Sequence, residues 1–163
     1  MKNNIKKINI DIQNSNLGLE KDNDLKVAIY DIVNDNIFYL LDFKEKEYNM
    51  NIKVIENLLI LNLLTNETSK TLTQISLNLK SINKILKEYV ALCNSYYDAI
   101  KSAPVQKVEA LDMGRRSLHD DASHELLAKL EQYAYMDFNT ARRFITFLSI
   151  VYRKTLVGEN IFN

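Results

Sequence analysis

Tyr48-Asn49-Met50-Asn51-Ile52-Lys53-Val54-Ile55-Glu56-Asn57-Leu58-Leu59-Ile60-Leu61-Asn62-Leu63-Leu64 alternates apolar and polar residues as far as Val54, then breaks at Glu56-Asn57 and resumes as an apolar run. Period-2 alternation places successive side chains on opposite faces of a strand, and the Glu-Asn pair is turn chemistry, so the stretch reads as two strands joined by a tight turn. A second turn at Asn66-Glu67 leads to Ile75, Leu77 and Leu79, which extend the pattern. The region from Ile37 to Leu79 is therefore expected to form an antiparallel meander.

Upstream, Ile5, Ile8, Ile10 and Ile12 contain another period-2 set and predict a first strand near residues 5–12, followed by a polar loop through Gly18. Leu25, Ala28, Ile29, Ile32 and Val33 recur at helical spacing behind Asp22 and Asp24, either of which suits an N-cap. Downstream the period changes to 3.6. Ile82, Ile85, Leu86, Tyr89, Cys93, Tyr96, Tyr97 and Ile100 make one stripe over about five turns. Pro104 suits the start of a further helix carrying Val105, Val108 and Leu111. Another helix is expected to begin near Asp120 to Ser123 with Leu126, Leu127 and Leu130, and a last one, capped by Asp137 or Asn139, carries Ala141, Phe144, Ile145, Leu148 and Tyr152.

The expected fold is α+β: a meander of about four or five antiparallel strands with one early helix, packed against a C-terminal layer of about three to four helices. Residues 1–79 are read as mainly strand plus that helix and residues 80–157 as mainly helical, within one domain, because no Pro/Gly/Ser-rich linker separates the halves. The predicted core is Ile29, Ile32, Leu61, Leu77, Ile85, Tyr89, Leu111, Leu127, Phe144 and Leu148.

The chain has 163 residues and a formal net charge of zero, so no general field attracts it to nucleic acid or to acidic membranes. Any basic site must be local. Cys93 is the single cysteine, which excludes an intramolecular disulfide; in an apolar helical setting it reads as a small buried hydrophobe and fits a reducing compartment. The amino-terminal stretch lacks signal-peptide character, and the longest apolar run is far short of the ~20 residues that span a bilayer. A cytoplasmic location is expected.

Lysine supplies 16 of the 21 positive charges, and only five arginines occur. Four form two pairs, Arg115-Arg116 and Arg142-Arg143. The planar guanidinium fork matches carboxylate and phosphate in a way lysine does not, so its use here points to fixed anion contacts. In a helical register Asp112, Arg116 and Asp120 are spaced i, i+4, i+8, with Arg115 and His119 on a neighbouring row, which reads either as a salt-bridge ladder or as one side of an anion site. Gly114 inside that helix predicts a break or a close approach. Arg142 and Arg143 near a helix start oppose the macrodipole and call for anionic partners, with Asp137, Asp112, Asp120 and Asp121 as candidates. His119 and His124 are five apart, about 140° round a helix, which disfavours a shared metal. The tyrosines at helical spacing, Tyr89, Tyr96 and Tyr97, with Tyr133 and Tyr135, read as core and interface residues rather than a base-stacking surface.

These residues carry a resemblance. Asp112-Met113-Gly114-Arg115-Arg116-x-Leu118-His119 resembles the central signature of Uncharacterised Protein Family 0262, a bacterial family found mainly in alphaproteobacteria, and Asp137-Phe138-x-Thr140-Ala141-Arg142-Arg143 resembles its carboxy-terminal one. Ser95-Tyr96-Tyr97-x-Ala99-Ile100 is similar to its long helix and Val27-Ala28-Ile29-x-Asp31 to its first, so the resemblance spans most of the chain. It implies that both arginine pairs and His119 occupy motif positions and that His124 does not; the family pattern tends to glutamate and glycine where this chain has Asp121 and Ala122. It implies no activity, substrate or cofactor.

The leading expectation is a non-enzymatic cytoplasmic binding or assembly module, self-associating or meeting an acidic protein, in which Asp112, Arg115, Arg116, His119, Arg142 and Arg143 form a charged interhelical cluster. The alternative is an enzyme or small-molecule binder for a phosphorylated or carboxylated metabolite, with the arginines clamping the anion and His119 as acid or base. Nucleic-acid binding is disfavoured by the neutral composition, and no metal or cofactor is expected.

Overall fold

The computed structural model describes residues 2–12 and 22–162, with the side chains of the last helix described through Thr155; the loop expected through Gly18 lies outside the described residues. The meander forms as its alternation requires. Strand β3 (Tyr48–Ile55) pairs antiparallel with β4 (Leu58–Thr65), and β4 with β5 (Thr71–Asn78). Met50 faces Leu63, Ile52 faces Leu61 and Val54 faces Leu59, so one side of the pleat is continuously apolar and buried. The turn at Glu56-Asn57 is closed by placing Glu56 at φ 53°, and the next by Ser69 at φ 53°, with the Thr65 hydroxyl accepting from the Lys70 N–H.

Strand β1 (Ile5–Ile12) adds to this meander in parallel, giving a mixed sheet in the order β1-β3-β4-β5. Between β1 and β3 the chain runs through helix α1 (Asn23–Asn34), which returns it to the sheet edge in the original direction. Asp22 is the N-cap, its carboxylate accepting from the Leu25 N–H at 3.1 Å, and Leu25, Ala28 and Ile32 face the core. Beyond the helix the buried amide of Asn36 ties α1 to β1. Its Oδ1 accepts from Ile5 N–H at 2.9 Å, and its Nδ2 donates to the carbonyls of Ile5 at 3.1 Å and Ile32 at 2.8 Å. A single side chain thus satisfies both backbone groups of a fully buried strand residue.

The short strand β2 (Phe38–Leu40) does not join the four-stranded sheet; it pairs antiparallel with β6 (Ala134–Met136), a strand that the expected helical layer did not contain. Tyr48, fully buried, stitches this ribbon to the sheet by accepting from the Leu40 N–H at 3.1 Å and donating to the Glu45 carbonyl.

The C-terminal layer consists of α2 (Lys80–Ser102), α3 (Val105–Leu130) and α4 (Phe138–Phe162), with α3 packed on both α2 and α4 and α1 packed on α4. The stripe of α2 is buried or half-buried through Tyr96, whereas Tyr97 and Ile100 are exposed. The two helices expected around Arg115 and Leu126 are one continuous helix of 26 residues. Asp120 to Ser123 therefore do not begin a helix: Ala122 and Ser123 are fully buried, and Ser123 bonds back to the His119 carbonyl at 2.8 Å, within the helix. Gly114 marks a close approach, since a Cβ there would stand 3.1 Å from Leu92 Cδ1 on α2. Asp137 caps α4 through the Thr140 N–H at 3.0 Å. Among the described residues no helix is long and apolar enough to cross a membrane.

One cluster of buried side chains draws on the sheet and on all four helices. Of the expected core residues, Ile32, Leu61, Leu77, Phe144 and Leu148 belong to it, and Ile29, Ile85, Tyr89 and Leu127 are half-buried against it. Leu111 is half-buried but lies outside the cluster.

Replacing Asn36 by alanine leaves the Ile5 N–H and two buried carbonyls without their partner, a loss of about 2–4 kcal/mol. The expected outcome in a thermal melt is a fall in Tm on the order of 10 °C; an unchanged Tm would show that the bridge between α1 and β1 is dispensable.

Candidate functional site

The middle of α3 lies against the first turns of α4, and this junction brings both arginine pairs together. On α3, Arg115 grips one oxygen of Asp112, with Nε and Nη2 each 2.8 Å from Oδ1. Its guanidinium also stacks over Tyr96 of α2, 4.1 Å from the ring centroid. Arg116 reaches the other oxygen of the same carboxylate, Nε to Oδ2 at 3.1 Å, while its side chain stays 70% exposed. One acid thus aims two cations.

On α4 the arginines occupy the first turns, where the helix field disfavours them, and each finds an acid on another helix. Arg142 Nη1 is 2.8 Å from Asp120 Oδ1 on α3, one of the four expected partners. Arg143 Nη2 is 3.1 Å from Asp35 Oδ2 at the end of α1, a partner 108 positions away that no local spacing could indicate. Of the other candidates, Asp112 serves the α3 pair, Asp137 caps α4, and Asp121 makes no ion pair among the described residues.

His119 is buried between the helices. Its Nε2 lies 3.0 Å from the Thr146 hydroxyl, which donates to the Arg142 carbonyl at 3.2 Å. A hydroxyl whose proton is spent in that way accepts from Nε2–H, so Nδ1 carries the lone pair; that atom is buried with no partner. Burial foremost, then the nearby Arg142 charge, lowers the imidazole from 6.5 to about 4, against a weaker opposing pull from Asp120. His119 is therefore neutral at physiological pH. His124 sits elsewhere, exposed and stacked on Phe138 with ring centroids 4.7 Å apart, so the two histidines do not converge.

Between α3 and α4 opens a cleft of about 500 Å³. Arg115, Arg116, Arg142 and Arg143 line it, together with His119, and Tyr89, Asn139 and Thr146 complete its wall. Five of the six residues singled out in the sequence thus face one space, and the sixth, Asp112, stands behind the α3 pair. Sequence reasoning missed Thr146 and Asn139 as lining residues, although both lie within one turn of Arg142 and Arg143 on the same helix. Tyr89 was read as core; it does pack edge-on against His119, with centroids 5.5 Å apart, while also reaching the cleft.

The depressed histidine predicts a specific pH dependence. Above pH 6.5 folded and unfolded chains both carry neutral His119; between 6.5 and about 4 only the unfolded chain binds the proton, so this residue makes stability fall as pH drops through that window and no further below it. In urea titrations across this range, His119→Gln is expected to lose less stability than the parent, and parallel curves would show that His119 titrates normally.

The sequence profile described as Uncharacterised protein family (UPF0262) matches residues 2–154. A UPF0262 protein of Azorhizobium caulinodans is 36% identical over 138 residues, covering 84% of this chain and 85% of the relative. One from Rhizobium etli is 37% identical over 126 residues, covering 77% and 80%, and one from Rhodopseudomonas palustris is 35% identical over 137, covering 84% and 83%. No solved structure matches. The segments Asp112–His119 and Asp137–Arg143, which carried the resemblance in sequence, are the two that wall the arginine cleft, and with matches along nearly its whole length the chain belongs to the Uncharacterised protein family UPF0262.

Proposed function

We propose that this protein is a cytoplasmic, non-enzymatic binding module whose arginine cleft receives an anionic small molecule. The observation that carries this reading is that four of the chain's five arginines line one cleft, each aimed by a carboxylate. Arg115 spends two of its five N–H donors on Asp112, and each of the others spends one on its acid, so every guanidinium keeps at least three for a ligand. The cleft has the size of a small-molecule site. Cation-rich space of this kind is stabilised by an anion.

Binding is favoured over catalysis by the state of the titratable groups in the wall. His119 is held down at about 4, and the Tyr89 phenol is pushed up to about 12, chiefly by burial and further by the Cys93 thiol beside it. Neither is poised near neutrality, where general acid–base groups work best. A reducing, cytoplasmic setting fits the buried, unpaired Cys93.

A second reading, an interhelical lock, draws on the same ion pairs: Arg142–Asp120 joins α4 to α3 and Arg143–Asp35 joins α4 to α1. Arg116 separates the two, because among the described residues its ion pair is with Asp112 on its own helix, where such i,i+4 pairs contribute about 0.3–0.5 kcal/mol.

The test is a thermal-shift screen against phosphorylated metabolites, nucleotides and dicarboxylates. One anion class should raise Tm saturably, with a stabilisation near 2.7 kcal/mol at about a hundred times its Kd. Arg116→Ala is expected to keep the parent Tm and lose the ligand shift. Arg143→Ala is expected to lose the shift and about 1 kcal/mol of stability besides. No shift with any anion, alongside destabilised arginine variants, would leave the lock as the cluster's role.

A further inference from the structure

The cleft's layout says more about its ligand than its charge alone. The two arginine pairs are held by separate anchors on two different helices. On α3, Arg115 and Arg116 share the single carboxylate of Asp112, so this end carries two cations against one anion. On α4, Arg142 and Arg143 are paired one to one with Asp120 and Asp35, but they stand at the positive end of the helix, and Asn139 from that first turn also lines the cleft. Both ends have unmet capacity for an anion, and the neutral His119 stands in the wall with them.

Counting forks separates one anionic group from two. A phosphate has three terminal oxygens and is surrounded by about two bidentate guanidinium forks; a carboxylate, with two oxygens, matches about one. Four guanidinium groups with at least three remaining donors each exceed what a single group engages. Spacing separates the two groups from each other. Asp112, which holds Arg115 and Arg116, and Asp120, which holds Arg142, are eight positions apart on one unbroken helix, and so about 12 Å apart along its axis. Arg115 cannot swing across that gap without leaving Tyr96, over which its guanidinium is stacked at 4.1 Å. Phosphates joined directly to each other are too close together for anchors so far apart; phosphates on different carbons of a short skeleton suit them.

We infer that the cleft's ligand is a small molecule bearing two phosphate groups on separate carbons, one held by Arg115 and Arg116 and the other by Arg142 and Arg143. This rests on the anion-binding reading above and narrows it. The exposed Arg116 and the half-exposed Arg142 can each be shortened without opening the core, which makes the two ends separately addressable.

The experiment is isothermal titration at fixed ionic strength with a hexose 1,6-bisphosphate, the corresponding 6-phosphate, inorganic pyrophosphate and orthophosphate, on the parent protein, Arg116→Ala, Arg142→Ala and the double variant. The bisphosphate is expected to bind about a hundredfold tighter than the monophosphate, the lower range for two linked groups engaging two subsites. Either single substitution should bring the bisphosphate down to about the affinity of the monophosphate, and the double variant should bind neither. Equal affinity for monophosphate and bisphosphate, or preference for pyrophosphate, would overturn the two-ended ligand while leaving an anion site standing. Binding of none of the four probes to the folded parent protein, as judged by circular dichroism, would overturn this inference; silence towards the wider anion panel as well would overturn the reading beneath it.

Discussion

Arg142 and Arg143 sit in the opening turns of α4, where the aligned peptide dipoles repel positive charge, and the arrangement of the helical layer answers that conflict. Asp120 on α3 and Asp35 at the end of α1 supply the missing negative charge, so α4 is drawn against both of its neighbours at its N-terminal end. Further along, Phe144, Ile145, Phe147 and Leu148 bury the same helix in the core by ordinary hydrophobic packing. The apolar contacts hold α4 in place, and the ion pairs determine what its first turns present to solvent.

That division of labour explains how a strained group of charges persists. The ion pairs at the cleft are partly exposed and each contributes modestly to stability. The cost of gathering four guanidinium groups is met by packing elsewhere, notably by the sheet whose inner face is apolar from β1 to β5 and by Asn36, which closes the polar account of the buried first strand.

Much of the fold was legible from local pattern. The alternation through Val54, the turn residues at Glu56-Asn57 and the capping aspartates at 22 and 137 act over a few positions, and each did what its spacing implies. Where local signals failed, a distant contact had intervened. Asp120 to Ser123 look like a helix start, yet α3 runs through them because Ala122 and Ser123 are small enough to be buried at the α3 packing surface. Gly114 does not break the helix; it stands where Leu92 of α2 occupies the space a side chain would need. Strand β6 has only three residues, too few for periodicity to register, and exists because β2 is there to pair with it.

The candidate site divides along the same line. Sequence by itself singled out the residues that gather at the cleft, because an arginine fork placed against a lysine-rich background, and cations placed at a helix start, are chemical choices visible without coordinates. It also determined the four strands of the main sheet, the capped starts of α1 and α4 and most of the apolar faces, since those depend on neighbours within one or two turns. Only the tertiary structure decided that β1 joins in parallel, that Asp35 rather than a nearby acid meets Arg143, and that both arginine pairs open onto one cleft. Those outcomes depend on contacts between residues tens to more than a hundred positions apart, whose distance is set by how helices and strands pack and not by how they are spaced along the chain.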